Sequence, residues 1–473
     1  MEYNPVTREI ISELTKIAGT KNVLTDNEKI ESYSHDEIPV EQYSHMPEVV
    51  VTPKSAEEIS EIVKLANKNT IPITPRGAGS GLSGGAIPVY GGIVISLEKM
   101  NHILEIDYDN MLMVLEPGVV TNDINELIAE KNLFYAGYPM SLETCFLGGN
   151  VAENAGGGKA IKYGVTDRYI LGLEMVTPTG QIVQFGGKLV KDVVGYNIKQ
   201  LIIGSEGTLG IVTKVIIKLS PLPKYKVDLL VLFKDVKSAI SMVPQIMTKA
   251  GIIPTSIEFM DKLSVQTSCQ YLNEHLPYQK AGAMLLIEVD GNREDIVSDD
   301  SETIGELCLK EGAIEVYVAD NYTTQERIWS VRRNIAEAFK VVSPHQSLED
   351  IVVPIASIPD LMPELERISK KYDIQIPCYG HAGDGNLHAT LVKNPKSTME
   401  EWYKIETESL KELYRATKAL GGTISGEHGI GFKRINFISE ALGKAEIDVM
   451  QKIKKALDPN IIMNPGKIFK VED

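Results

Sequence analysis

Cysteine is scarce in this sequence, and the cysteines that are present lie far apart. The chain of 473 residues contains only Cys145, Cys269, Cys308 and Cys378, and no two of them form a C-x-x-C pair. Iron–sulfur and zinc sites commonly rely on such closely spaced pairs. We therefore expect no iron–sulfur cluster in this chain, so electron transfer beyond it needs a separate acceptor.

Long apolar runs and an excess of positive charge are also missing. No stretch approaches the ~18 apolar residues that a membrane span needs, and the N-terminal segment is charged throughout, unlike a secretory signal. Lysine and arginine number 48 against 64 aspartate and glutamate, a net charge of −16, which argues against nucleic acid or an anionic membrane as partner. We expect a cytoplasmic protein without a transmembrane segment and, at this length, with two or three domains.

Glycine, in contrast, is concentrated in a few segments, and residues 75–86 (PRGAGSGLSGGA) contain five glycines. Glycine reaches positive φ without a Cβ clash, so successive backbone N–H groups can turn toward one point and bind an anion. A flexible surface turn is the alternative. Two apolar runs that we interpret as strands, residues 71–74 and 93–97, flank the segment. This setting favours a phosphate cradle.

Two common nucleotide-binding motifs are excluded for this segment. Gly79, Gly81 and Gly84 match G-x-G-x-x-G, but Pro88 and a β-rich run follow, where a Rossmann unit has the helix that holds the pyrophosphate. A P-loop is excluded because no Lys-Ser or Lys-Thr closes the glycine run. The predicted cradle therefore belongs to a different fold.

Two further glycine-rich segments follow, residues 139–158 (PMSLETCFLGGNVAENAGGG) and 202–219 (IIGSEGTLGIVTKVIIKL). Close approach of the backbone to a flat ligand would explain why side chains are so small there. Pro221 and Pro223 come next, and because proline disrupts both helices and central strands, they indicate a domain boundary.

Beyond this boundary the apolar pattern predicts the order β-α-β-β-α-β, which is typical of a ferredoxin-like sheet with helices on one face. The predicted elements are strand 229–233, helix 236–250, strands 256–260 and 284–289, helix 302–311 and strand 314–318. Strands near residues 350–353 and 387–392 are predicted to extend the sheet. The fold class is therefore α+β.

Three of the eight histidines fall in two short signatures, HAGDGNLH from His381 to His388 and GEHGIG around His428. A lone histidine is more often a structural residue than a ligand. Here a tight Gly-Asp-Gly turn would bring His381 and His388 onto adjoining segments, and Glu427 would complete a two-histidine, one-carboxylate set. Such a set suits Zn²⁺, Mn²⁺ or Fe²⁺ with open coordination positions. The spacing in the sequence does not show that Glu427 lies near the two histidines, because Glu427 is 39 residues past His388.

The segments PRGAGSGLSGGA, GGNVAENAGGG, GSEGTLGI, GHAGDGNLH, SGEHGIG and NPGKIF together resemble the FAD-linked oxidase family of the vanillyl-alcohol-oxidase (PCMH) fold. The chain is most similar to the D-lactate dehydrogenase and glycolate oxidase flavoprotein-subunit branch, which also contains D-2-hydroxyglutarate dehydrogenases. The resemblance implies a PCMH-type FAD-binding domain of two α+β subdomains (residues 1–221), a ferredoxin-like antiparallel-sheet cap (residues 222–424) and a C-terminal segment (residues 425–473) that returns to the FAD domain.

The same resemblance implies that the glycine segments hold FAD, with the first segment on its pyrophosphate. Covalent members place a histidine where this chain has Ser80, so FAD should be bound non-covalently. The residues implied in FAD binding are Pro75, Arg76, Gly77, Ala78, Gly79, Ser80, Gly81, Ser83, Gly84, Pro139, Thr144, Gly148, Gly149, Ala152, Asn154, Gly157, Gly158, Tyr163, Gly164, Glu206, Gly210, Ile211 and Asn464.

The resemblance also implies the catalytic groups. His381, His388 and Glu427 correspond to the ligands of a divalent metal (Zn, Mn or Fe), His428 to the active-site histidine, and Arg332 to the arginine that binds the substrate carboxylate. The metal would lower the pKa of the substrate hydroxyl, His428 would accept its proton, and the α-hydrogen would pass as hydride to flavin N5.

Departures from the family pattern indicate the substrate, and the absence of cluster motifs bears on the electron acceptor. Where D-2-hydroxyglutarate dehydrogenases carry a threonine, a lysine and an asparagine, this chain has Ala336, Leu348 and Thr390. Fewer polar partners indicate a smaller substrate, so D-lactate is the first expectation, glycolate the second and D-2-hydroxyglutarate the third. The electrons pass to oxygen, a quinone, an iron–sulfur subunit or an electron-transferring flavoprotein. Some close relatives work with the last of these, and an acidic protein would fit that role.

Two other classes of function are disfavoured. A flavin- or metal-storing protein would not need His428 beside a metal ligand or an arginine in the cap. A metal-dependent hydrolase would not need three glycine segments. We therefore expect an FAD-dependent 2-hydroxy-acid dehydrogenase.

Overall fold

The computed structural model describes residues 2–471, which form two compact units. Unit 1 comprises the chain up to Gly156, Gly164–Pro221 and the chain from Glu427 onward, and unit 2 comprises Gly157–Tyr163 and Leu222–Gly426. Within residues 2–471 no helix combines the length and the apolar character needed to cross a membrane.

The chain before Leu222 contains two main sheets. The helices are α1 (Arg8–Ala18), α2 (Asn27–Ile30), α3 (Val40–Tyr43), α4 (Ala56–Asn69), α5 (Thr121–Ala129), α6 (Leu147–Glu153), α7 (Ala160–Tyr163) and α8 (Ile198–Ile202). The strands are β1 (Val23–Leu24), β2 (Val49–Val51), β3 (Ile73–Arg76), β4 (Ile93–Ser96), β5 (Ile103–Asp107), β6 (Leu112–Leu115), β7 (Leu133–Phe134), β8 (Ile170–Val176), β9 (Ile182–Gly186), β10 (Ile211–Lys218) and β11 (Ser220–Pro221). A mixed sheet has the order β1-β2-β4-β3, and an antiparallel sheet has the order β5-β6-β10-β8-β9.

The mixed sheet of unit 1 is buried because its central strands are apolar and a helix covers them. Helix α4 starts at Ser55, whose side chain accepts a hydrogen bond from the Glu58 backbone N–H, as N-cap serines do. Its Ile59, Ile62 and Val63 pack in the same core as β2, β3 and β4. Strand β3 is thus fixed in the interior, and the glycine-rich segment starts directly after it.

The C-terminal segment joins this sheet. It contains α16 (Ile438–Ala441) and α17 (Lys444–Leu457). Beyond α17, the Ile73 backbone N–H donates to Ile462 O, and the Asn464 N–H donates to Ile73 O, both at 2.7 Å. Residues 462–464 therefore pair with β3.

Unit 2 is built on one seven-stranded antiparallel sheet with the order β15-β12-β14-β13-β17-β18-β16. Its strands are β12 (Tyr225–Phe233), β13 (Ser256–Asp261), β14 (Ala283–Gly291), β15 (Glu315–Ala319), β16 (Gln346–Val352), β17 (Cys378–His381) and β18 (Asn386–Val392). Its helices after α7 are α9 (Val236–Gln245), α10 (Lys262–Leu272), α11 (Glu294–Lys310), α12 (Tyr322–Arg333), α13 (Ile335–Val342), α14 (Ile358–Tyr372) and α15 (Met399–Ala419).

The predicted β-α-β-β-α-β order corresponds to β12, α9, β13, β14, α11 and β15, and β16 and β18 extend the sheet. Helix α10 was not predicted. Its buried face carries Ser264 and Ser268 beside Val265 and Cys269, so apolar periodicity is weak there. The Ser268 hydroxyl donates to Val331 O at 2.6 Å, which explains why a serine is accepted in this core.

The units differ from the predicted domains in one internal segment. Residues 157–163 fall within the predicted first domain but belong to unit 2. Lys162 Nζ donates to Asp290 O at 2.8 Å, and the Tyr163 hydroxyl donates to Asp290 Oδ1 at 3.0 Å, which attaches α7 to the end of β14. The second boundary lies after Gly426 rather than after residue 424.

Candidate active site

The first glycine segment of unit 1 presents a run of backbone N–H groups. Among residues 2–471, no acceptor is found for the N–H groups of residues 77–83, whereas the Gly84 N–H donates to Asp36 at 2.8 Å. Gly79 and Gly84 have φ of +76° and +78°, a conformation that favours glycine. Consecutive N–H groups without protein acceptors fit an anion, so the segment fits the pyrophosphate of FAD.

The second glycine segment lies beside the first. A Cβ on Gly77 would lie 3.6 Å from Gly149 N, and a Cβ on Gly149 would meet no atom within 4 Å. Gly148, in contrast, packs on Pro117, because its Cβ would lie 2.6 Å from the Pro117 Cβ. Gly149 therefore faces open space where a ligand can approach the backbone, while Gly148 serves packing.

The third glycine segment and the C-terminal segment are tied to the first. Asn464 Nδ2 donates to Gly85 O at 3.0 Å and to Glu206 O at 2.8 Å. The Glu206 N–H donates to Ala152 O at 2.8 Å. Within unit 1, the structure thus brings together the three glycine segments predicted to hold FAD.

Several side chains in the predicted FAD set are occupied by the protein. Arg76 donates to His35 O at 2.7 Å and lies over the Tyr33 ring, and burial lowers its pKa. Thr144 is exposed, and its hydroxyl donates to Ser141 O. Gly157, Gly158 and Tyr163 belong to unit 2. The side chains of Arg76 and Thr144 already bond within the protein. The main feature of the cradle is therefore the glycine backbone.

Unit 2 brings His381 and His388 together on one hairpin. His381 ends β17, His388 lies in β18, and the turn between the strands has Gly385 at φ +85°. Both histidines are buried, and their ring centroids lie 5.6 Å apart at 83°. The predicted tight turn is thus present, and it places the two imidazoles side by side.

Glu258, on the neighbouring β13, connects this hairpin to the predicted carboxylate-binding arginine. Its Oε1 lies 2.5 Å from His381 Nδ1, and its Oε2 accepts from Arg332 Nε at 2.7 Å. Burial alone would raise the pKa of Glu258, but the adjacent His381 and Arg332 outweigh it and lower the pKa to about 2. Glu258 is therefore a carboxylate, and it holds His381 with Nδ1–H as donor and the lone pair on Nε2.

The side chain of Arg332 is buried. Its side chain is 4% exposed, two of its nitrogens lie 2.7 Å from Glu258 Oε2, and its Cζ stacks 5.0 Å from the centroid of the Tyr379 ring. The guanidinium has five N–H donors, and its Nη2 makes no hydrogen bond among the described residues, so donors remain beyond the Nε bond to Glu258. Glu258 and Tyr379 fix its orientation.

The positions that depart from D-2-hydroxyglutarate dehydrogenases also lie in unit 2. Leu348 is on β16, and Thr390 is on β18 and fully buried. The Thr390 hydroxyl lies 3.4 Å from the Tyr379 hydroxyl, so it bonds within the protein. Ala336 lies in α13.

The end of unit 2 is anchored just before Glu427. Asp350 Oδ2 accepts from the Ser425 hydroxyl at 2.7 Å and from the Gly426 N–H at 2.9 Å, while Oδ1 accepts from Asn386 Nδ2 at 2.6 Å. Asp350 therefore fixes the first part of the SGEHGIG signature. The next residue, Glu427, begins the last stretch of unit 1.

In unit 1, Glu427 and His428 are partly buried neighbours. Glu427 Oε1 lies 3.5 Å from His428 Nε2. The residues that follow bind a carboxylate, because Ile430 N and Gly431 N donate to the two oxygens of Glu206. Glu206 thus touches the segment that carries His428, a contact that the sequence did not indicate.

Reasoning from sequence missed Glu258 and Asp350. Each lies within a strand that the apolar pattern predicts as core, and each is fully buried. A buried carboxylate must be paired or hydrogen-bonded, so an acid at an inward position of an apolar strand is the signal that could have found both. Their partners could not be read from sequence, because they lie tens of residues away.

Comparison with known proteins identifies the family of this chain. A family described as FAD linked oxidases, C-terminal domain, matches residues 222–468, and a family described as FAD binding domain matches residues 47–186. The chain is 40% identical over 464 residues to the glycolate oxidase subunit GlcD of Bacillus subtilis, covering 98% of this chain and 97% of that protein. It is 38% identical over 472 residues to a D-lactate dehydrogenase of Anaerostipes hadrus, covering 99% and 98%.

Among solved structures, p-cresol methylhydroxylase with substrate bound superposes with a TM-score of 0.77 at 20% identity, over 97% of this chain and 95% of that one. An identity this low supports the fold alone. The predicted PCMH-type α+β fold is confirmed.

Proposed function

Because the chain belongs to the FAD-linked oxidase family, in the branch of glycolate oxidase subunits and D-lactate dehydrogenases, we propose that it oxidises a small D-2-hydroxy acid to the 2-oxo acid. D-lactate is the first candidate, glycolate the second and D-2-hydroxyglutarate the third. Leu348 and Thr390 favour a short substrate, because one is apolar and the hydroxyl of the other lies within reach of Tyr379.

The observation that carries this proposal is the buried Glu258 between His381 and Arg332. It places a histidine with its lone pair on Nε2 next to an arginine whose planar fork matches a carboxylate. A 2-hydroxy acid has a carboxylate and a neighbouring hydroxyl, so one fixed pair of side chains can serve both groups. In this proposal Arg332 binds the carboxylate and orients the α-carbon.

His381, His388 and Glu427 are the residues that would hold a divalent metal, since two imidazoles and a carboxylate suit Zn²⁺, Mn²⁺ or Fe²⁺. FAD would supply a hydride acceptor, and the cation would stabilise the substrate alkoxide. His428 accepts the hydroxyl proton in this proposal. Its Nε2 lies 3.5 Å from Glu427 Oε1, so the proposed base is adjacent to the proposed carboxylate ligand.

Electrons then leave for a separate acceptor. The four cysteines are all buried free thiols, and none of their spacings matches a cluster motif. We propose a protein acceptor such as an electron-transferring flavoprotein, because it can take electrons from an exposed flavin edge without a cluster in this chain.

The test is anaerobic flavin reduction by purified protein loaded with FAD and metal. We expect D-lactate to bleach the flavin faster than glycolate or D-2-hydroxyglutarate, and L-lactate to act poorly. Acid precipitation should release all yellow colour, since Ser80 offers no ring nitrogen for a covalent link. Chelation should stop reduction, and Mn²⁺, Zn²⁺ or Fe²⁺ should restore it.

Three results would contradict the proposal. Colour retained in the acid pellet would mean covalent FAD. Full metal content and activity in His388→Ala would mean that the metal site is wrong. Rapid peroxide formation in air would identify an oxidase rather than a dehydrogenase with a protein acceptor.

A further inference from the structure

We propose that Glu206 is a positioning residue that holds residues 429–431, and through them the adjoining His428, in one arrangement. The proposal rests on the proton-accepting role proposed above for His428. It gives the Glu206 side chain a role other than FAD binding, the role that family resemblance implies for this position.

The Glu206 carboxylate is fully used by this segment. Oε1 accepts from the Ile430 N–H at 2.8 Å, and Oε2 accepts from the Gly431 N–H at 2.6 Å. Hydrogen bonds to an ionised carboxylate are short and stronger than those between neutral groups. The Glu206 backbone is fixed on both sides, by Ala152 O and by Asn464 Nδ2. Because its backbone is fixed and its carboxylate accepts from two consecutive N–H groups, Glu206 can hold residues 430–431 in one position.

The segment also lies directly on this carboxylate. Gly429 has φ +85°, and a Cβ there would overlap Glu153 Oε2 and lie 2.9 Å from Glu206 Oε1. Arg434 Nη1 donates to Gly429 O at 3.1 Å. The backbone one residue after His428 is thus held by a carboxylate on one side and a guanidinium on the other.

Glu153 lies beside Glu206, and geometry assigns the proton of this carboxyl pair. Both oxygens of Glu206 accept N–H bonds, which favours the ionised form of Glu206. Glu153 accepts only from the Ser83 hydroxyl at 3.2 Å, and among residues 2–471 its buried Oε2 finds no hydrogen-bond partner. Burial and then the neighbouring Glu206 raise the pKa of Glu153 well above its ordinary value. Glu153 is therefore neutral.

The charges around the pair agree with this division. Burial raises the pKa of Glu206, and the Ile430 and Gly431 N–H groups, followed by Lys467 and Arg434, offset this rise in part. The remaining acid nearby, Asp36, accepts the N–H groups of Ile38 and Gly84, and burial raises its pKa to about 6. Two amide donors and the Arg434 guanidinium thus favour the ionised form of Glu206.

The two carboxyls should therefore respond differently to the same change. Glu206→Gln replaces one acceptor oxygen by an NH₂ group that faces an N–H donor, so one buried hydrogen bond is lost. Glu153→Gln replaces a neutral carboxyl by a neutral amide of the same shape and is the matched control.

The experiment measures flavin reduction by D-lactate in stopped flow, on variants loaded with FAD and metal. We expect Glu206→Gln to lower the rate at saturating substrate roughly 10- to 100-fold, with an unchanged half-saturating concentration and full FAD content. Glu153→Gln should keep the wild-type rate. A wild-type rate in Glu206→Gln, or equal losses in both variants, would overturn the proposal.

His428→Asn in the same assay separates this inference from the function it rests on. A slow His428→Asn with an unaffected Glu206→Gln would overturn the role of Glu206 alone, whereas an unaffected His428→Asn would overturn the proposed base. Should Glu206→Gln fail to fold or to bind FAD, Glu206→Asp replaces it. It keeps both acceptors on a shorter stem, so slower reduction with full FAD supports the proposal and an unchanged rate overturns it.

Discussion

At the scale of single residues, Glu258 is the side chain that connects His381 and Arg332 in unit 2. Arg332 and His381 follow it by 74 and 123 residues, and one carboxylate binds both. Removing either partner would leave the buried carboxylate with one hydrogen-bond donor fewer, which costs several kcal/mol. Glu258 therefore links the proposed substrate-binding and metal-binding side chains.

Glu258→Gln should weaken metal binding about 10- to 100-fold, because a carboxylate that accepts from a ligand histidine fixes its tautomer and orientation. The measurement is the metal dissociation constant of the FAD-bound protein. Glu274→Gln is the matched control, since Glu274 pairs at the surface with Arg327 on the same helix as Arg332. Equal affinities in both variants would contradict the role of Glu258.

The pKa of Glu258 also predicts a pH dependence of stability. The folded-state pKa is about 2, below the ordinary 4.5, so the stabilisation is present above about pH 4.5 and is lost as the pH falls toward 2. It amounts to on the order of 3 kcal/mol. The free energy of unfolding of the metal-free wild-type protein should therefore fall more steeply below pH 4.5 than that of Glu258→Gln. Parallel curves would refute this.

Part of the candidate site could be predicted from residues alone. The glycine segments and the histidine pair were found because each is a local pattern with a local physical reason, a backbone without side chains or a tight turn. Glu258, Asp350 and the Glu206 contact could not be found this way. Each is a single acid whose partners are brought near only by the packing of distant strands.

At the scale of elements, the apolar pattern predicted the strands of unit 2 better than its helices. Strand β12 is apolar and buried from Leu229 to Phe233, and β14 is apolar and buried from Ala283 to Ile287, which is a strong signal. Helix α11 extends eight residues before its predicted start, because Glu294–Lys310 begins with charged residues that resemble a loop. Acidic residues in a first helical turn are in fact favourable.

The same two strands carry a buried acid that should limit stability at high pH. Asp228 on β12 lies opposite Glu288 on β14, and burial followed by the Glu288 charge raises its pKa from 3.8 to about 7. The folded protein keeps this proton where the unfolded chain has lost it, so stability falls as the pH rises from about 4 to 7.

Asp228→Asn should therefore stabilise the protein at pH 8, by up to about 4 kcal/mol, and change little at pH 4. Asp290→Asn is the control, since Asp290 lies on β14 two residues past Glu288. It should destabilise at pH 8, because Asp290 binds Lys162 and Tyr163. Chemical denaturation at both pH values measures the two effects, and a destabilised Asp228→Asn at pH 8 would show that its carboxylate is needed.

At the scale of the whole molecule, the chain leaves unit 1 twice, once for the short segment at residues 157–163 and once for residues 222–426. The long excursion could be predicted, because two prolines mark its start. The short one could not, since it depends on Asp290, which lies 127 residues past Tyr163. Each unit has its own apolar core, so a ligand of one unit can be followed against the other as an internal reference.

This organisation allows FAD binding to be located by hydrogen exchange. The N–H groups of residues 77–83 have no acceptor within the described protein, so they should exchange fast without FAD. They should become protected when the phosphate oxygens accept them, because exchange requires that a hydrogen bond first opens. The ladder between β12 and β14 in unit 2 is continuous over nine residue pairs and should exchange slowly with or without FAD. Protection confined to residues 77–83 and the neighbouring glycine segments of unit 1 would support the proposed cradle. Equal exchange of residues 77–83 in the two states would place the pyrophosphate elsewhere.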